Sequence, residues 1–196
     1  MAFIDDIPEA EASEEVAALY EAERAEQGFV DNQTLLFAHR PRVLEGWEQL
    51  KGAITGSMDT RRYELVTLAA ARRLRSTYCM LAHGQVLAER FFDPEEVRRV
   101  ALDHSTAGLD ALDVAVMDLA QKVVDDATSV TQEDVDRLRG LGLADADIFD
   151  VVAAAAARCF FSKVLDALGA QADAAYAELE PALRDVLVVG RPIATG

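Results

Sequence analysis

The chain has 196 residues, 51% of them hydrophobic, with 19 basic against 35 acidic side chains and a formal charge of -16. So acidic a surface repels phosphate backbones and anionic lipid headgroups, which speaks against nucleic acid and membrane surfaces as partners. Abundant alanine, few aromatics and short β-branched runs favour helix nearly throughout, no apolar run is long enough to span a membrane, and "MAFIDDIPEAEASEE" lacks the basic start and apolar core of a secretory signal. A cytoplasmic all-α protein is the expectation.

The first helix is expected from Ser13, as cap, to Gly28, with Val16, Leu19 and Tyr20 on its apolar stripe. A turn is expected at Asp31–Asn32. Pro41 then opens a second helix, with Val43, Leu44, Trp47, Leu50 and Ile54 on one side. Asp59 or Thr60 caps a third, over about 60–75, and a break near Arg75–Thr77 separates it from a fourth that carries Tyr78 to Phe91. "DPEEV" marks a fifth, with Asp93 as cap and Pro94 in the first position. A long amphipathic helix covers about 108–127, and Thr131 with Asp134 reads as a near capping box for the next. "ADADIFDVVAAAAARCFFSKVLDALG" is the most apolar helix and is expected to centre the core. A last short helix covers about 173–180, is stopped by Pro181, and leaves "DVLVVGRPIATG" as a strap or a loose end. The reading is one domain, 1–196, of about eight helices, with its core at about 41–173 and residues 1–40 as a helical extension.

Cys79 and His83 stand four residues apart on the fourth helix, which puts them on one face. An imidazole there can take the thiol proton or stabilise a thiolate, the nucleophilic form. Cys79 also lies near the expected helix start, where the positive end of the macrodipole favours an anion. If the third and fourth helices fold back on each other, Glu64 reaches the same pocket and completes a carboxylate–imidazole–thiol relay. Tyr78 and Ser76 offer hydroxyls at its edge. The alternative is that Cys79 is a small packing residue in an alanine-rich helix. Arg72, Arg73 and Arg75, just before Ser76, either pair with acids or raise the local potential.

The stretch "RRYELVTLAAARRLRSTYCMLAHGQVLAERF" resembles the alkylhydroperoxidase D-like / carboxymuconolactone decarboxylase superfamily. Glu64 matches the Glu of that pattern, Ser76 falls on the first Cys of its CxxC, Cys79 on the second, and His83 on the His. The downstream stretch "LDVAVMDLAQKVVDDATSVTQEDVDRLRGLGLADADIFDVVAAAAARCFFSKVLDALGAQAD" looks like the carboxyl half of the peroxidase-related branch, so the resemblance spans about 41–173. It implies an alkylhydroperoxidase D-like helical fold assembled as a trimer or hexamer. It also implies a peroxiredoxin-type antioxidant activity in which Cys79 attacks a hydroperoxide while Glu64 and His83 manage protons. Ser76 cannot form a disulfide, so an oxidised Cys79 needs a thiol reductant from outside or the distant Cys159.

Three functions remain open at this stage. The first is a thiol peroxidase acting on an organic hydroperoxide. The second is a carboxymuconolactone decarboxylase-like lyase on a small organic acid, with Glu64, Tyr78 and His83 moving protons. The third is a non-catalytic oligomer that binds a small molecule. With no CxxC and no zinc-type ligand spacing, neither a metal nor a cofactor is expected. His39 reads as a surface or capping residue and His104 as exposed in a polar loop. Trp47, Phe91, Phe92, Phe160 and Phe161 read first as core or subunit contacts, and Phe160 and Phe161 second as the wall of an apolar pocket.

Overall fold

Ten α-helices and three short 3-10 turns make up the computed structural model, which describes residues 2–195. Among the described residues there is no strand, and no helix is long and apolar enough to cross a membrane. Helix α1 (Glu14–Gln27) starts where Ser13 Oγ accepts the Val16 N–H at 3.3 Å and ends at Gly28 in the left-handed region. Asp31 does not sit in a plain turn. Its carboxylate accepts the Thr34 N–H at 2.7 Å and caps a short helix, α2 (Asn32–Phe37). Helix α3 (Pro41–Thr55) opens on its proline as expected. Its apolar set splits, however: Trp47 and Ile54 are buried, while Val43 and Leu50 face outward.

Helix α4 (Thr60–Leu74), capped by Asp59, is the centre of the molecule. Every residue from Tyr63 to Ala71 is buried, and the helix packs against α5 (Thr77–Arg90), α7 (Ala111–Asp126) and α9 (Asp145–Ala167). A helix covered on all sides must be apolar or small all round, and "LVTLAAA" is, with the buried Glu64 before it paired to His83. This corrects the expectation for α9, which is longer and more apolar but lies to one side and leaves Phe149 and Phe160 exposed.

Helix α6 (Pro94–Asp103) carries a full capping box between Asp93 and Glu96, and α8 (Gln132–Gly140) has one between Thr131 and Asp134. His104 is not an exposed loop residue. It is buried at the end of α6, where Nε2 meets Asp118 Oδ1 at 2.9 Å.

The carboxyl end also differs from expectation. Residues Ala174–Glu178 form a 3-10 turn, and Pro181 starts α10 (Pro181–Leu187) instead of stopping a helix. Proline is favoured at the first helical position because its missing N–H has no intrahelical partner to lose. Beyond α10 the tail is a strap rather than a loose end. The Gly190 N–H donates to Thr77 Oγ1 at 2.8 Å, and a Cβ at 190 would stand 2.0 Å from the Arg75 carbonyl oxygen. The tail therefore lies directly on the start of α5.

Candidate active site

The link between α4 and α5 is two residues long. Arg75 takes the left-handed conformation (φ 56°) and Ser76 is extended, so α5 folds back against α4. Cys79 is the third residue of α5, inside the first turn, where backbone N–H groups have no intrahelical acceptor. His83 follows one turn later, and α4 brings Glu64 up to it. The carboxylate Oε2 stands 2.5 Å from His83 Nδ1, with both side chains largely buried. A carboxylate only accepts, so Nδ1 carries the hydrogen and Nε2 is left as the free base. Burial, and next the Arg158 charge, lower the His83 pKa against the upward pull of Glu64. The imidazole is therefore neutral near pH 7, and it acts as a proton acceptor rather than a fixed positive charge.

The charge beside the sulfur comes from a residue that sequence reasoning missed. Arg158 Nη1 donates to Cys79 Sγ at 3.5 Å and Ser162 Oγ donates to it at 3.1 Å. Both lie on α9, one turn apart, so one face of that helix covers the thiol. Arg158 is buried and has no carboxylate partner among the described residues. Its Nη2 donates to Tyr63 Oη at 3.2 Å, and its guanidinium lies over the rings of Trp47 and Phe161. Burial works to strip its proton, while Cys79 and Tyr63 hold it in place. The only sequence signal for it is an arginine inside "AAAARCFF", an apolar run where a charge needs a reason.

Cys79 is 2% exposed but not sealed in. Together with His83, Arg158, Tyr78, Trp47 and Phe161 it lines a pocket of about 170 Å³. The imidazole also borders a second pocket of about 280 Å³ that contains Glu64 and Tyr63. The structure thus brings Glu64, Cys79 and His83 to one place, although the sulfur's hydrogen-bond partners among the described residues are Ser162 and Arg158.

The other expected site residues fall as follows. Tyr78 donates its hydroxyl to Asp173 Oδ2 and accepts the Gln33 N–H at 3.4 Å. Burial, then Asp31 and Asp173, raise its pKa, so it stays protonated and ties α5 to α2 and to the segment after α9. Ser76 is fully buried, and its hydroxyl has no hydrogen-bond partner among the described residues. Cys159 opens into a different pocket, with Phe160, Lys163 and Val164, and burial raises its thiol pKa. Arg73 pairs with Asp125, and Arg75 Nε donates to the Val189 carbonyl, so these two arginines are spent on structure. Among the described residues no cluster of His, Cys, Asp and Glu could hold a metal.

Residues 41–122 match the model of the carboxymuconolactone decarboxylase family, a span that includes Glu64, Cys79 and His83 but not Arg158 or Ser162. No curated protein matches the sequence. The structure is similar to an uncharacterized peroxidase-related protein with the alkylhydroperoxidase AhpD core from Ralstonia eutropha JMP134. That pair has 22% identity and a TM-score of 0.80, over 89% of this chain and 94% of that one. It is also similar to an uncharacterized peroxidase-related protein from Silicibacter sp. TM1040, with 20% identity and a TM-score of 0.76, over 90% and 91% of the two chains. A further likeness is to the debrominase Bmp8, solved in complex with 2,3,4-tribromopyrrole, with 14% identity and a TM-score of 0.73, over 92% and 95%. A segment that matches the carboxymuconolactone decarboxylase family model thus sits within a helical fold shared with these alkylhydroperoxidase-like structures.

Proposed function

We propose that the protein is a thiol peroxidase that reduces organic hydroperoxides with Cys79 as its one reactive sulfur. The observation that carries this reading is the pair of donors on Sγ, Arg158 and Ser162, beside a pocket that Cys79 lines together with His83, the partner of Glu64. A guanidinium with no carboxylate partner suits a sulfur that becomes an anion.

The Cys79 thiol gives its proton to His83 Nε2, and Glu64 holds the imidazolium that results. The thiolate attacks the terminal oxygen of the hydroperoxide. The S–O bond forms, the O–O bond breaks, and the leaving alkoxide takes the proton back from His83 and departs as the alcohol. Cys79 is left as a sulfenic acid. Ser76 has no sulfur to close a disulfide, and Cys159 opens elsewhere. An external thiol therefore attacks the sulfenic sulfur and releases water, and a second thiol frees Cys79 and leaves as the disulfide. A reducing cytoplasm supplies such thiols. The exposed apolar residues Val43, Leu50, Phe149 and Phe160 support assembly of several copies, a trimer or hexamer.

The test is to treat the protein with cumene hydroperoxide and trap sulfenic acid with dimedone, beside Cys79→Ser. Labelling confined to the unaltered protein is expected; equal labelling of both removes Cys79 as the reactive group. A lyase on a small organic acid is the second reading, since Arg158 could hold a substrate carboxylate. In that case Cys79→Ser keeps its turnover.

A further inference from the structure

The thiol pocket has a size, a wall and an approach, and together they define what it takes. Its volume is about 170 Å³. A cavity of about 150 Å³ holds one benzene ring. The wall is aromatic: Trp47 stacks on Phe161 with centroids 4.5 Å apart, and Phe161 stacks in turn on Phe37 at 5.3 Å. Arg158, a lining residue, keeps an Nε–H with no acceptor, although it is 4% exposed. A ligand that fills the pocket therefore pairs a flat apolar body with an acceptor atom.

Outside lies a larger groove of about 620 Å³, between α1, α2 and α3, which shares Gln33, Glu48 and Lys51 with the thiol pocket. Six carboxylates line it, those of Glu15, Glu23, Glu26, Asp31, Glu45 and Glu48, against the single cation Lys51, which is itself paired with Glu48. Confined like charges of one sign focus a negative potential over the way in.

We infer that the site takes uncharged or cationic molecules built on a single aromatic ring, and that anionic ones are turned away at the groove. This rests on the reading of Cys79 as the reactive centre only for its catalytic meaning; the binding itself needs no thiol chemistry. Apolar contact with Trp47, Ala82 and Phe161 supplies the hold, a volume near that of one ring disfavours a second fused ring, and the groove carboxylates outweigh the pull of Arg158 and set the charge rule.

Trp47 is the only tryptophan and reports on its own pocket. The experiment titrates the Cys79→Ser protein, which cannot react, and follows Trp47 fluorescence with benzyl alcohol, benzylamine, benzoate and 1-naphthalenemethanol. Saturable change is expected with the first two, binding of benzoate weaker by about tenfold or more, and no saturable change with the naphthyl alcohol. Ala82→Leu, which fills the pocket from α5, should abolish binding while the helical circular dichroism stays unchanged. Glu45→Gln with Glu48→Gln should narrow the gap between benzoate and benzyl alcohol. Benzoate binding as tightly as benzyl alcohol, or the naphthyl alcohol binding as tightly as either, overturns the inference, and so does the absence of any ring binding. A protein that binds single rings yet forms no sulfenic acid keeps this inference and loses the peroxidase reading. One that turns over hydroperoxide but binds no ring does the reverse.

Discussion

Cys79 is nearly buried yet lines a pocket, receives hydrogen bonds from Arg158 and Ser162, and shares its cavity with His83. Cys159 follows Arg158 directly in the chain, is half-buried beside the exposed Phe160, and borders an apolar pocket whose nearest charge is Lys163. Cys159 is next to that arginine in sequence and Cys79 is 79 residues from it, yet Arg158 reaches Cys79, because successive residues on a helix point about 100° apart. The comparison teaches that thiol chemistry follows the direction of a side chain more than its neighbours in the chain.

The sharpest way to break this contrast is to exchange serine for each cysteine. Cys79→Ser should lose peroxide-driven sulfenic acid formation altogether, while Cys159→Ser keeps it, both read by dimedone labelling. Next in size, His83→Ala should slow peroxide reduction by about a hundredfold or more in stopped-flow assays, as expected for a lost general base. The same residue sets a pH dependence. Its folded-state pKa is lowered, so the unfolded chain takes the proton first as pH falls. Both turnover and stability should therefore decline as pH drops below the ordinary histidine value of about 6.5.

Arg158→Met should slow iodoacetamide alkylation of Cys79 near neutral pH by about ten- to a hundredfold, the worth of a hydrogen bond to a charged group. It should do so without loss of thermal stability, because a buried charge without an ionic partner is no asset to the fold. Gly190→Ala tests the strap. A methyl group meets the Arg75 carbonyl, and overpacking of about 1–3 kcal/mol should appear in denaturant unfolding. The smallest effect concerns Glu23, whose pKa burial, then Asp31, Glu26 and Glu48, raise to about 7. A raised carboxyl keeps its proton in the fold at a pH where the unfolded chain has lost it. The ionised form therefore costs stability as pH rises from about 4.5 through about 7. Glu23→Gln should change little at low pH and raise the melting temperature slightly above neutrality.

Much of the architecture was legible along the chain. The caps at Ser13, Asp59, Asp93 and Thr131, the break at Arg75 and the proline at 41 mark helix ends through local hydrogen bonds and fixed φ, which act within a few residues. Pro181 was misread because the same fixed φ that stops one helix starts another. His104 was misread because its partner, Asp118, comes from α7. Glu64, Cys79 and His83 could be placed together because one turn of helix and one short link relate them.

Local periodicity and capping by themselves determined that the chain is helical, where most helices begin, and that a carboxylate, an imidazole and a thiol share one helix pair. Only the tertiary structure decided that α4 rather than α9 is enclosed, that the charge at the sulfur is Arg158 from 79 residues away in sequence, and that six carboxylates line the way to it. The physical reason is range. Helix caps and i, i+4 neighbours are settled by backbone geometry within a turn or two, whereas burial, charge compensation and pocket shape depend on which faces of distant helices meet.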